Sequence, residues 1–191
     1  MKKLISLMLA FAMIACIAVG CAPAANNDGT EGTENKAPEV QNLTGTMEEL
    51  VNKIVEKNPV EFMGGSMTLD LANTSEMTEE DFAWYIKNYT GLDSDSDISD
   101  GAFYEAMMGS IAFSLVAVRV NESADAKTVG QAMKDGIDTR KWICVAADDL
   151  MVAGYGDVVV LIMLDTGLEM TAQSFIDAFK DVCGADLSFT L

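Results

Sequence analysis

Asp93-Ser94-Asp95-Ser96-Asp97 sets carboxylates at alternate positions, the spacing with which a loop can wrap a hard cation in oxygen ligands. A calcium loop of that kind needs glycine where Ile98 stands and a bidentate glutamate where Tyr104 stands, and Glu105 comes one residue late. Asp93, Asp95 and Asp97 are therefore candidates for weak cation binding, set against a plain solvated acidic loop. The chain contains no histidine. Ser-His-Asp and Cys-His catalysis are thereby excluded, as are imidazole metal sites, and no Ser-x-x-Lys supplies another base. Asp148-Asp149, with Asp157 and Glu169, could act as an acid/base carboxylate pair, but acids are abundant enough to meet by chance and no sugar-stacking aromatic cluster goes with them. Gly154-Tyr155-Gly156 has the look of a phosphate loop, yet Val159 replaces the third glycine and a strand follows, so it reads as a hairpin turn. Arg119 and Arg140, the only arginines, either grip an anionic ligand or pair with the surrounding carboxylates. No residue is assigned a catalytic role, and no cofactor is implied.

The N-terminus carries more definite chemistry. Lys2 and Lys3 precede an apolar run from Leu4 to Val19 broken only by Ser6, and small Gly20 then stands before Cys21. This order resembles a bacterial lipoprotein signal, in which the cysteine thiol receives a diacylglyceryl group and the peptide is cut just before it. Ala18 stands where such signals usually have leucine, and the run is shorter than the roughly 20 apolar residues of a spanning helix. Cys16 also follows an alanine, but Ile17 to Gly20 would make an odd apolar start for a mature chain. Each buried methylene of an acyl chain contributes about 0.8 kcal/mol, so two chains anchor firmly where one binds marginally.

Residues 1–20 are thus read as signal peptide and residues 21–44 as a flexible acidic tether, rich in Asn, Gly, Thr and Glu around Pro23 and Pro38. Such a tether spans roughly 25–30 Å root-mean-square. Residues 45–191 suit a single domain with one core. The chain has 12 basic and 30 acidic residues, and loss of Lys2 and Lys3 leaves 10 against 30, a net charge of −20 for residues 21–191. That balance excludes nucleic acid, whose binding needs clustered cations, and favours a soluble monomer. Once Cys21 is acylated, Cys144 and Cys183 remain: outside the cytoplasm they form a disulfide, or they stay separate as small buried apolar groups.

Within the domain, Thr46-Met47-Glu48-Glu49 has the form of a capping box, and Met47, Leu50, Val51, Ile54 and Val55 repeat at helical spacing up to Lys57. A second helix starts at Thr78, carries Phe82, Tyr85, Ile86 and Tyr89 inward, and stops at Gly91. Between them Met67, Leu69 and Leu71 alternate as a strand would. Two strand-strand-helix units follow, one from Phe103 to about Lys141, the other from Asp149 to Cys183 with Gly184 as C-cap. Val158 to Leu164 has no polar alternation, so that strand should be central and covered on both faces. Leu187, Phe189 and Leu191 alternate at the end of the chain as a further edge strand would. The expected fold is α+β: a largely antiparallel sheet of about four strands with helices packed on it, preceded by two N-terminal helices.

The signal, the acidic tether, Tyr89-Thr90-Gly91-Leu92, the Ala112 to Val120 strand, the helix carrying Arg140 and the Gly154-to-Asp157 hairpin together resemble a family of uncharacterised Gram-positive bacterial lipoproteins with a domain of unknown function. The resemblance covers most of residues 46–183 and implies no activity and no site residues. The expectation is a membrane-anchored extracytoplasmic lipoprotein, held to the bilayer through Cys21, whose non-enzymatic domain contacts another envelope component. The alternative is a lipoprotein that binds a small solute or cation.

Overall fold

The computed structural model describes residues 42–191; the signal at 1–20, Cys21 and the tether as far as residue 41 lie outside the described residues. In chain order the elements are α1 (Met47–Lys57), β1 (Gly64–Thr68), α2 (Glu79–Thr90), β2 (Ile98–Ala106), β3 (Phe113–Val120), α3 (Ala126–Gly136), β4 (Asp149–Tyr155), β5 (Val158–Leu164), α4 (Ala172–Cys183) and β6 (Phe189–Thr190). The strands make one sheet of six in the order β1-β2-β3-β5-β4-β6, antiparallel at every step.

The all-apolar β5 lies between β3 and β4 and is buried along its whole length. Its alternation builds two cores. Val158, Val160, Ile162 and Leu164 meet Leu50 and Ile54 of α1 and Phe175 and Phe179 of α4, while Val159, Leu161 and Met163 meet Ile86 of α2 and Val129 and Met133 of α3. A sheet covered on both faces has no use for polar positions in its middle strand, which is why the run from Val158 contains none.

The helices start where local capping chemistry places them. Thr46 Oγ1 accepts from the Glu49 amide and the Glu49 carboxylate accepts from the Thr46 amide, a complete capping box. Thr78, Asp125 and Thr171 cap the other three in the same sense, and Gly91 and Gly184 end α2 and α4 in the left-handed conformation. Gly91 has a second reason to be glycine: a Cβ there would stand 2.4 Å from the Met133 carbonyl oxygen, and one on Gly136 would stand 2.1 Å from the Gly91 oxygen. The ends of α2 and α3 therefore meet backbone to backbone.

Three expectations need correction. The sheet has six strands rather than four, because β1 and the two-residue β6 join the two hairpins. No pair of N-terminal helices precedes the sheet: β1 lies between α1 and α2, and those helices cover opposite faces. The helix expected to reach Lys141 stops at Gly136, where Ile137 turns extended, so Arg140, Lys141 and Trp142 belong to a loop. The two strand-strand-helix units also place α3 and α4 on opposite faces of the sheet.

Asp70 organises the loop between β1 and α2. Its carboxylate accepts from the Thr74 amide at 2.8 Å, the Thr74 hydroxyl at 2.9 Å and the Ser75 amide at 2.9 Å. The backbone donors of Thr74 and Ser75 lower its pKa from the ordinary 3.8 to about 2. A carboxylate whose folded pKa is depressed adds stability above its unfolded pKa and loses it as pH falls through the folded one. An NMR titration is therefore expected to place the Asp70 midpoint near 2, and Asp70→Asn to remove that step.

Candidate functional site

β1 reads Gly64-Gly65-Ser66-Met67-Thr68 and forms one edge of the sheet. Its ladder to β2 is extended at either end by the Met107 amide donating to the Met63 oxygen (2.9 Å) and the Leu69 amide donating to the Gly101 oxygen (2.7 Å). Those bonds put the odd-numbered residues of β1 in bonded pairs with β2, so the amides and carbonyls of Gly64, Ser66 and Thr68 point outward. Among the described residues none supplies them a backbone partner. The other edge is different: the chain end pairs with β4 through Ser188 to Gly154 and through both bonds between Leu191 and Val152.

The same register decides what lies on the face of this edge. Met67 stands opposite Phe103 and Gly65 opposite Glu105, and the ladder bond sets Met63 beside Met107. These odd-numbered positions share the face on which Phe103 packs against α2, Tyr89 stacking on Phe103 with ring centroids 4.0 Å apart. Beyond that ring the cover stops. Met63, Met67, Met107 and Met108 are 74%, 61%, 73% and 59% exposed, and a Cβ on Gly65 would meet nothing within 4 Å. Large apolar side chains gathered in the open mark contact surfaces, and methionine adapts its shape to varied partners. On the opposite face Ser66 Oγ and Thr68 Oγ1 donate to the Glu48 carboxylate at 3.2 and 2.9 Å, which lays an acid from α1 along the strand.

Next to this edge sits the described domain's buried ion pair. Lys141 Nζ donates to Glu105 Oε1 at 2.5 Å, to Ser114 Oγ at 3.2 Å and to the Asn88 carbonyl at 3.3 Å, and lies 5.0 and 5.3 Å from the ring centres of Tyr89 and Trp142. The Ser114 hydroxyl in turn donates to Glu105 Oε1 at 2.8 Å. Burial lowers the lysine pKa and the Glu105 charge pushes it back up; burial, then Glu105, raise that of Tyr89. A serine beside a depressed lysine has the composition of a nucleophile with its base. Ser114 is fully buried, however, and all three lysine protons are spent on protein acceptors, so the cluster closes the end of the second core and offers nothing to a substrate. Sequence reading missed this cluster; Ser114, the one polar residue of Ile111 to Val118, was its only trace.

A groove of about 660 Å³ opens where Ser99, Arg119, Asn121, Asp125, Asp157 and Phe189 come together. Arg119, Asp157 and Asp125 have protein partners, although Asp157 Oδ1 is buried with no hydrogen-bond partner among the described residues, and Glu122 and Lys127 also line the groove. Arg119 donates to Asp157 Oδ2 at 2.7 Å and to the Gly45 carbonyl at 2.9 Å, and Asp125 accepts from the amide and hydroxyl of Thr128 at the start of α3. The choice left open for Arg119 thus falls to an internal ion pair, while Arg140 is exposed.

The remaining sequence candidates do not converge. Asp93 is tied to Lys87 at 2.5 Å, the Asp95 and Asp97 carbonyls accept from Ile98 and Asn121, and among the described residues no three acids or cysteines gather as a metal site would require. Asp93, Asp95 and Asp97 thus each take part in local contacts. Asp148 accepts from the amide and hydroxyl of Thr166, and Asp149 from the Ala172 amide, so that pair serves as two separate turn and helix caps. Cys144 and Cys183 are free thiols in this structure. Cys183 packs half-buried at the end of α4, where burial pushes its pKa up to about 12, while Cys144 is exposed two residues past Trp142, which packs on the other face; the sheet lies between them.

No family model, no curated protein and no solved structure matches the chain.

Proposed function

We propose that this is an extracytoplasmic lipoprotein, anchored through acylated Cys21, whose domain acts by binding another component of the cell envelope and performs no catalysis. The observation that carries the reading is the open β1 edge with its exposed Met63, Met67, Met107 and Met108. A lone exposed apolar side chain needs no explanation, but Met63 and Met67 on one face of the β1 edge, with Met107 beside Met63 and Met108 next to it in the chain, expose apolar surface of the kind that marks a contact surface. Two further features support it. The buried titratable groups Lys141, Glu105 and Ser114 satisfy one another, and the Lys2-to-Cys21 signal with its acidic tether would hold the domain where an envelope partner can be met.

Photo-cross-linking in cells tests the proposal. A photoreactive residue at Met67 is expected to give a discrete adduct, and the same residue at Asp181, exposed on α4 across the sheet, is expected to give none. No reproducible adduct at either position, in the anchored protein, would remove the reading.

A further inference from the structure

We infer that the open edge of β1 receives an extended segment of a partner protein as a seventh strand, basic on the side of Glu48 and apolar on the side of the methionines. The inference rests on the proposed contact function and names its chemistry. Outward amides and carbonyls at Gly64, Ser66 and Thr68 are the template on which a strand is added, main chain to main chain. Proteins blunt such edges with lysine, proline or a covering segment; β1 contains none of these residues, whereas the β4 edge is covered by the end of the chain.

The side chains decide what kind of strand fits. Gly65 leaves a notch between Met63 and Met67, with open space above it, and a large side chain on a neighbouring strand fills a gap of that sort over an edge glycine. The opposite face of β1 is lined by the Glu48 carboxylate, which holds Ser66 and Thr68. With alternation, one face of the incoming segment would carry apolar or aromatic residues and the other lysine or arginine. Charge also chooses between a partner and a second copy. Two chains of 30 acidic against 10 basic residues each, counted over residues 21–191, repel one another, and a basic segment is drawn in.

Amide exchange of the mature acylated protein in detergent micelles, followed by NMR, tests this. The probe is a synthetic peptide of about ten residues, alternating lysine with valine and carrying a central phenylalanine. At saturation it is expected to slow exchange at Gly64, Ser66 and Thr68 by about tenfold or more, while the same peptide N-methylated at alternate amides, equal in charge and side chains, leaves those amides unchanged. Met67→Glu is expected to weaken binding about tenfold. Equal binding by the two peptides would mean attraction by charge alone and would overturn the inference. So would protection of the three amides without peptide that grows with protein concentration, because a second copy would then be the occupant. An in-cell adduct at Met67 with no protection by the peptide would overturn the added strand and leave the contact function standing; no adduct at any position would remove the contact function itself.

Discussion

Glu105→Ala is expected to cost about 3–5 kcal/mol of folding stability in urea unfolding, the range for breaking a buried ion pair from one side. The Lys141 side chain is only 5% exposed, and its ammonium reaches three acceptors of which Glu105 is the sole charge. Without Glu105 the cation is left in an apolar surround, so it either stays charged at high cost or gives up its proton. The triple variant Lys141→Met, Glu105→Leu, Ser114→Ala removes the three polar side chains at once, leaving only the Asn88 carbonyl, and is expected to be neutral or stabilising, because the same groups also carry the desolvation penalty. A loss below about 1 kcal/mol for Glu105→Ala would place the pair in the weak class of surface bridges. pH gives an independent reading. Burial holds the folded pKa of Lys141 below its ordinary 10.5, so between the two values the unfolded chain binds the extra proton. This group's contribution therefore rises as pH climbs through the folded pKa toward 10.5.

Phe113→Ala is expected to cost about 3–5 kcal/mol as well, by a different route. Phe113 is fully buried at the start of β3, with ring centroids of Phe62 and Phe175 each 5.1 Å away and that of Tyr104 at 6.2 Å. Four rings from a loop, two strands and α4 meet there, and truncation leaves a cavity that none of them can fill without moving its own backbone. Trp84→Ala makes the useful comparison. Trp84 is 66% exposed on α2, and its loss is expected to stay within about 0.5 kcal/mol despite the larger side chain.

The parts of this fold that were legible in the sequence are those fixed over a few residues. Thr46 with Glu49, Thr78, Gly91 and Gly184 mark helix ends because capping is a contact between near neighbours, and the all-apolar Val158 to Leu164 could only be a covered central strand. The Gly156-Asp157 turn was readable for the same reason: Tyr155 pairs directly with Val158, and Gly156 takes the positive φ of 60° that the tight hairpin needs. What stayed hidden depends on residues far apart in the chain. Lys141 lies 36 positions from Glu105 and 27 from Ser114, and nothing in the local pattern links them. The glycine that ends α3 has its reason just past α2, where the Gly91 carbonyl occupies the space a Cβ on Gly136 would need. That β1 is an open edge follows from the order of the whole sheet. The sequence pattern around Met67, Leu69 and Leu71 suggested a strand and gave no sign of its neighbour or of its bare side.

Membrane fractionation of cells carrying Cys21→Ser, with the intact mass of the recovered protein, tests the anchor on which the proposed function depends. The wild-type chain is expected in the membrane fraction, cut before Cys21 and heavier than its mature polypeptide by the mass of the attached lipid; the variant is expected to lose both the lipid and the membrane association. A Cys21→Ser protein still bound to the membrane, with the same modifications as the wild type, would contradict it.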